Sequence, residues 1–372
     1  MSSSSSILVK RVSKNLNAPL RILVIVRAGI GDIVMATPAL RLLRKTCPGT
    51  HITIVVPAES APLIPVPGLA DEVIAHKGHR NKLLYSVYKI WLALLHRLGR
   101  YDICFLLHET ANIARRIKRL SNIPIRICPS HLMGGRPNPG VAHATHVIPV
   151  ASAWNTHMAD YFQDIIQGFF LYLPNTRTIA QREMPRIADP ARRATAVCAA
   201  GKKRVAFCFE GAPANQNRWP EDHFLALLGM VKERGWYAYA AIPKGKTRYT
   251  AALAARGATL DAFECADIME CCALLREADL LISVDTGQVH LAAAMNIPVI
   301  SLGGPSSLRT RPYSPSGVML AASPGCFDCP FADDCRHQAG QRPKDSTDFI
   351  PPCMLAITPD MVFSHACEML EG

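Results

Sequence analysis

Two strand–turn–helix units, far apart in the chain, limit what this sequence can fold into. The first runs Arg21-Ile-Leu-Val-Ile-Val-Arg-Ala-Gly-Ile-Gly-Asp32-Ile-Val-Met-Ala-Thr-Pro38-Ala-Leu40. The second runs Leu280-Leu-Ile-Ser-Val-Asp285-Thr286-Gly287-Gln-Val-His290-Leu-Ala-Ala-Ala. In each, an apolar run of strand length enters a turn of small residues and continues into a helix-forming stretch. Each turn carries an acid, Asp32 or Asp285, at the point where open α/β sheets bind their ligands. Two such units predict two doubly wound domains with parallel sheets, facing each other across a cleft.

The length fits that division, since 372 residues make two domains of roughly 150–200 residues. No apolar run approaches the ~20 residues that cross a bilayer. Residues 1–18 open with Met1 and five serines and lack the apolar core of a secretory signal, so a disordered leader and a cytoplasmic protein are expected. Thirteen cysteines in such a compartment argue against a disulfide framework; Cys104, Cys128 and Cys208 lie in apolar runs and read as buried hydrophobes. A net charge of +12 favours anionic partners: phosphates, nucleic acid or a membrane surface. No basic segment interleaved with aromatics supports nucleic acid.

Alternation of strands and helices continues through both halves. Strands are expected at 20–26, 51–56 and 103–107, with a helix over 33–45 and a long apolar helix with basic flanks over 83–98. The Pro-, Arg- and Ala-rich stretch 174–203 reads as the connection between a first domain, 19–173, and a second, 204–357. The second domain has expected strands at 204–209, 237–242, 280–284 and 298–302, and helices at 221–234, 268–276 and 288–295. A last helix, 358–372, takes Thr358 as its cap and Pro359 as its first residue.

The turn Ala28-Gly-Ile-Gly-Asp32 supplies Gly29 and Gly31 without a third glycine, and no acid ends the next strand. A dinucleotide site needs both, so an oxidoreductase is disfavoured. The glycines let a ligand approach, and Asp32 either caps the helix or, kept ionised by the helix terminus, serves as a base. Asp285, Thr286, Gly287 and His290 suit recognition of a hydroxyl by the carboxylate and of a diphosphate by backbone N–H groups; a capping aspartate and a buried histidine are the plainer reading. Gly303-Gly304-Pro305-Ser306-Ser307 offers more N–H donors. In Asn217-Arg218-Trp219-Pro220, Arg218 is a phosphate partner and Trp219 a packing residue. Cys326, Cys329, Cys335 and Cys353, in the Cys-rich loop 326–353, can hold a structural Zn or Fe, remain thiols or form a redox-dependent disulfide.

Taken in order, these segments resemble glycosyltransferase family 9, the ADP-heptose:lipopolysaccharide heptosyltransferases. The opening Arg-Ile-Leu-Val-Ile-x-Arg-x-Gly-x-Gly-Asp, Tyr101-Asp102 before a strand, Val284-Asp285-Thr286-Gly287-x-x-His290, and the cysteine-rich ending all match. The resemblance implies the GT-B fold, with the last helix packing back toward the first domain. It implies an inverting transfer with no cofactor in catalysis. Asp32 would be the general base. Asp285, Thr286, Gly287, His290, Asn217 and Arg218 would hold the nucleotide-sugar donor, ADP-heptose, with Gly29 and Gly31 at the acceptor. The acceptor would be an anionic glycolipid or glycan, bound with peripheral contact at the cytoplasmic face of the inner membrane; Arg115, Arg116, Lys118 and Arg119 suit that partner. Alternatives are a protein (adhesin) acceptor and a degenerate protein that binds nucleotide sugar without turnover. The family commonly has lysine where this chain has Asn217.

Overall fold

The computed structural model describes residues 20–26, 28–76, 101–108, 111–121, 123–132, 135–150, 156–171, 182–190, 201–209, 218–304, 308–322 and 350–372. The leader 1–18, the helix expected over 83–98, Asn217, Cys326, Cys329 and Cys335 lie outside them. The chain divides into two compact units, Met1–Ala188 and Asp189–Gly372.

In the first unit, β1 (Arg21–Val26), β2 (His51–Pro57), β3 (Glu72–His76), β4 (Ile103–His108), β5 (Ile125–Pro129) and β6 (His146–Ile148) form one sheet in the order β3-β2-β1-β4-β5-β6. Every pairing is parallel. The central strands are mostly apolar and bury almost every residue, as a parallel sheet covered on both faces requires. Helix α1 (Ile30–Thr46) buries one flank beside α3 (Met158–Leu171), and Phe169 of α3 meets Phe105 of β4 edge to face at 5.5 Å. The amphipathic α2 (Ala111–Leu120) follows β4 and keeps its charges outside, burying Ala114 and Ile117.

Pro38 stands inside α1, where it has no N–H for the carbonyl of Val34, four residues back. The hydroxyl of Thr37 donates to that carbonyl instead, at 2.7 Å. The Thr37 hydroxyl oxygen in turn accepts the backbone N–H of Arg186 at 3.0 Å. Arg186 belongs to the stretch 174–203 expected as the connection. Residues 182–188 are instead docked on α1 and α3. Glu183, 5% exposed, lies between Arg41 at 3.3 Å and Lys45 at 2.5 Å, and its N–H donates to Gln163.

The second unit repeats the topology. Strands β7 (Arg204–Cys208), β8 (Tyr237–Pro243), β9 (Asp261–Cys265), β10 (Leu280–Val284), β11 (Val299–Leu302) and β12 (Gly317–Leu320) lie in the order β12-β11-β10-β7-β8-β9, again all parallel. Counted within its unit, each sheet reads 3-2-1-4-5-6, so each has a switch point between its first and fourth strands. Helices α4 (Glu221–Glu233), α5 (Arg248–Ala255), α6 (Ile268–Arg276) and α7 (Gly287–Ala294) connect the strands.

Helices α8 (Pro352–Leu355) and α9 (Pro359–Glu371) end the chain. Thr358 caps α9 as expected, accepting the N–H of Met361 at 3.3 Å, with Pro359 next. The apolar face of this helix, Val362, Ala366 and Leu370, is buried in the core of the second unit, and Arg234 at the end of α4 pairs with Glu371 at 2.6 Å. The junction before α9 is fixed by Trp219, whose indole N–H donates to the Ile357 carbonyl at 2.8 Å.

Candidate functional site

Each acidic turn emerges at the carboxyl edge of its sheet, beside the switch point. In the first unit, β1 ends at Val26 and α1 starts at Ile30, so Gly29, Gly31 and Asp32 form the turn and first helical residues. Gly29 is exposed, while Gly31 and Asp32 are half-buried. The Gly29 N–H donates to Asp32 Oδ2 at 3.0 Å. Capping and access therefore coexist: the carboxylate closes its own helix, whose dipole favours its ionised form, and still reaches solvent at the rim.

In the second unit, β10 is wholly buried and delivers Asp285, 6% exposed, to the carboxyl edge. The helix cap is Thr286, not Asp285, and Gly287 is the first residue of α7. Thr286 is steadied by Ser283, hydroxyl to hydroxyl at 3.2 Å. The Asp285 carboxylate meets the loop after β11, where the Thr310 hydroxyl donates to Oδ2 at 2.8 Å. His290, 4% exposed, lies in the first turn of α7. Structure thus brings Asp285, Thr286, Gly287 and His290 together around one helix N-terminus. Thr310, in an aperiodic loop, was invisible to sequence reasoning.

Arg218 is committed elsewhere. Its guanidinium donates to Glu221 at 2.9 Å and lies over the Tyr249 ring at 5.5 Å. A phosphate would have to compete with both. Trp219 is fully buried, the packing role expected of it. In the Gly-Gly turn after β11, the Gly303 N–H is already spent on the Leu320 carbonyl at 2.7 Å, so it is not an anion donor.

Thiol chemistry is disfavoured at this edge. Cys208, Cys265, Cys271 and Cys272 are all buried. The contact with Cys265, together with burial, holds the Cys271 thiol well above its ordinary range; burial pushes Cys272 up to about 12. Among the described residues no group of three or more His, Cys, Asp or Glu side chains is arranged to hold a metal. Of the four proposed thiolate ligands only Cys353 is described, buried at the second position of α8. No described helix is long and apolar enough to cross a membrane.

Two parallel six-stranded sheets with the same strand order, each with an acid at its carboxyl edge, place the chain in the GT-B fold class. The model of glycosyltransferase family 9 (heptosyltransferase) matches residues 140–335, just over half of the sequence, and the chain belongs to that family. The lipopolysaccharide heptosyltransferase 1 of Pseudomonas aeruginosa is 24% identical over 94% of this chain and 98% of its own length. The structure of Escherichia coli ADP-heptose lipopolysaccharide heptosyltransferase II superposes with a TM-score of 0.72 at 18% identity, covering 94% of this chain and 98% of that one. The iron-containing dodecameric glycosyltransferase TibC of enterotoxigenic E. coli does so at 0.57 and 16%, covering 95% and 79%. At these identities the structures speak for the fold alone.

Proposed function

We propose that this protein is an inverting glycosyltransferase that moves a heptose from ADP-heptose to an acceptor hydroxyl on an envelope glycan of the lipopolysaccharide-core type. The observation that carries this reading is the paired placement of Asp32 and of Asp285-Thr286-Gly287-His290 at the switch points of the two sheets in a family 9 chain. The relatives support the sugar and the acceptor: one is named for lipopolysaccharide, the other for ADP-heptose.

In this reading Asp32 takes the proton of the acceptor hydroxyl while that oxygen attacks the anomeric carbon. The bond to the diphosphate breaks on the opposite face, and ADP leaves with the electron pair. Gly29 and Gly31 leave room for the acceptor. Asp285 accepts a donor hydroxyl, while His290 and the N–H groups opening α7 face the diphosphate, where negative charge grows. Arg218 and Asn217 complete the donor set, Arg218 by exchanging its Glu221 pairing for phosphate.

The acceptor is anionic. No acid occurs between Glu109 and Asp160, and α2 in that stretch presents Arg115, Lys118 and Arg119 to solvent, with Arg116 half-buried. Such a surface suits a phosphorylated glycolipid at the cytoplasmic face of the inner membrane. In this reading the acceptor-binding domain is 19–173 with residues 182–188 added, and the donor-binding domain is 204–357. A structural iron or zinc on Cys326, Cys329, Cys335 and Cys353 belongs to the same reading, supported by the likeness to an iron-containing glycosyltransferase; elemental analysis of the purified protein tests it.

The experiment is a thermal-shift series with ADP-heptose, ADP and unrelated nucleotide sugars, followed by transfer assays on truncated core glycans. ADP-heptose at about 100 times its dissociation constant adds about 2.7 kcal/mol of stability. Stabilisation by a different nucleotide sugar would replace the donor; none at all in folded protein would favour a degenerate binder.

A further inference from the structure

We infer that His108 contacts the acceptor sugar beside the hydroxyl that Asp32 deprotonates; this rests on the reading of the Asp32 turn as the acceptor side. Strand β4 runs Ile-Cys-Phe-Leu-Leu-His, five buried apolar residues closed by a half-buried histidine at the carboxyl edge. Its ladder with β1 is regular from Ile22 opposite Ile103 to Ile25 opposite Leu106. It then skips a residue, so that Val26 stands opposite His108. Leu107 is the extra residue of a β-bulge, a feature that re-aims side chains and is concentrated beside active sites.

The skip changes the face that His108 occupies. Successive residues of a strand point to opposite faces, and residues opposite each other on neighbouring strands share one. Cys104 and Leu106, with Leu23 and Ile25, pack in one core with Ala114 and Ile117 of α2. An unbroken ladder would put His108 on that face. Phe105, opposite Val24, lies on the other, where it meets Phe169 of α3, the helix that packs along α1. Paired with Val26, His108 belongs to this second face. It is the face of α1, whose first turn carries Asp32. Strands β1 and β4 are neighbours at the switch point, about 4.8 Å apart. The bulge therefore sets an imidazole beside the Asp32 turn. No described residue hydrogen-bonds that ring. Its two nitrogens offer one donor and one acceptor when neutral and two donors when charged, which suits both the hydroxyls and an anionic substituent of a sugar. A sugar bound there is held by His108 while its nucleophilic hydroxyl meets the Asp32 carboxylate.

The test measures initial rates with a truncated core glycan as acceptor, and dissociation constants of ADP-heptose by calorimetry. It uses full-length wild type, His108→Ala, His108→Gln and Asp32→Asn. His108→Ala should raise the acceptor KM on the order of five- to ten-fold, the usual effect of one lost hydrogen bond. Its kcat and its ADP-heptose dissociation constant should stay within about three-fold of wild type, as for a lost contact made equally in ground and transition states. His108→Gln, which keeps a donor and an acceptor, should recover most of the acceptor KM. An unchanged KM in His108→Ala would overturn the inference, as would a His108→Gln loss equal to that of His108→Ala. Equal weakening of donor and acceptor would make His108 a structural residue and overturn it too. If Asp32→Asn abolishes transfer while His108→Ala changes nothing, the inference fails and the acceptor reading of this edge stands. If Asp32→Asn turns over normally, or wild type transfers to no such glycan, that reading falls and takes the inference with it. Melting temperatures of the His108 variants close to that of wild type keep the comparison one between folded proteins.

Discussion

Gly29 donates its backbone N–H to Asp32 Oδ2 at 3.0 Å, so the carboxylate proposed as the base also closes the first turn of its own helix. Two functions on one side chain can be separated by substitution. Asp32→Asn retains an oxygen that accepts the Gly29 N–H but cannot take a proton. Its stability should lie within about 0.5 kcal/mol of wild type and its donor affinity within a few-fold. Transfer should fall ~100- to 10,000-fold. Asp32→Ala should lose transfer and, in addition, about 1 kcal/mol of stability from the lost cap. Denaturation curves beside initial rates decide the matter. An Asp32→Asn enzyme that turns over normally would sink the base assignment.

Thr37 and Pro38 explain each other, because the hydroxyl serves a carbonyl that proline cannot. Thr37→Val, nearly isosteric, leaves the Val34 carbonyl and the Arg186 N–H without this oxygen, both next to a fully buried side chain. We expect a loss of about 2 kcal/mol, read from the urea midpoint, with Thr37→Ser recovering at least half. A neutral Thr37→Val would mean that water or a shifted helix replaces the hydroxyl. The same substitution should expose the 182–188 segment to protease, since Arg186 is one of its attachments to α1.

Two helical glycines should respond oppositely to alanine. A Cβ on Gly229 of α4 meets no atom within 4 Å, so Gly229→Ala should stabilise by up to about 1 kcal/mol through lower chain entropy in the unfolded state. A Cβ on Gly168 of α3 would overlap Cγ2 of Ile148, which is 1% exposed at the end of β6. There the crowding outweighs helix propensity, and Gly168→Ala should cost about 1–3 kcal/mol. Melting curves of the two variants give the signs directly; a stabilised Gly168→Ala would show that β6 yields easily.

What the sequence revealed follows in large part how completely each element is buried, although the buried five-residue β5 was not among the expected strands. Strands β1, β4, β7, β10 and β11 are central or near-central, predominantly apolar, and were read to within a residue or two. The edges were missed for a physical reason. Glu72–His76 and Asp261–Cys265 are short, begin with an acid and bury only their last residue, while His146–Ile148 has only three residues. The site was legible where it is local, as in Asp285 to His290, because strand, cap and helix follow one another in the chain. It was illegible where a partner arrives from a distance. Nothing in Leu308 to Arg311 signals a carboxylate behind it, and Arg218 read as free for phosphate until Glu221 and Tyr249 were seen to hold it.

The amino edges of both sheets are fastened by one device, and it makes stability depend on acid. Arg204 donates its backbone N–H to Asp279 Oδ2 at 2.8 Å, and the Asp279 N–H returns to the Arg204 carbonyl at 2.9 Å. Arg21 and Asp102 repeat this in the first unit, at 2.8 Å in both directions, as do Ile52 and Asp71, at 2.7 and 2.8 Å. In each case an aspartate just before one strand completes the start of its neighbour. Burial opposes the charged form of Asp279, but the hydrogen bonds and charge of Arg204 prevail and hold the carboxyl below its ordinary range. A carboxyl depressed in the folded state contributes stability above its unfolded value, near pH 4, and loses it as pH falls through the folded value. Asp279→Asn should therefore cost about 1 kcal/mol at pH 7, a modest figure because the side chain is 34% exposed and its charge partly screened. The gap between variant and wild type should narrow below pH 4 and nearly close by pH 2. Urea titrations of both proteins at several pH values measure it. A gap that stays constant with pH would show that Asp279 acts through its backbone and shape, with its charge contributing nothing.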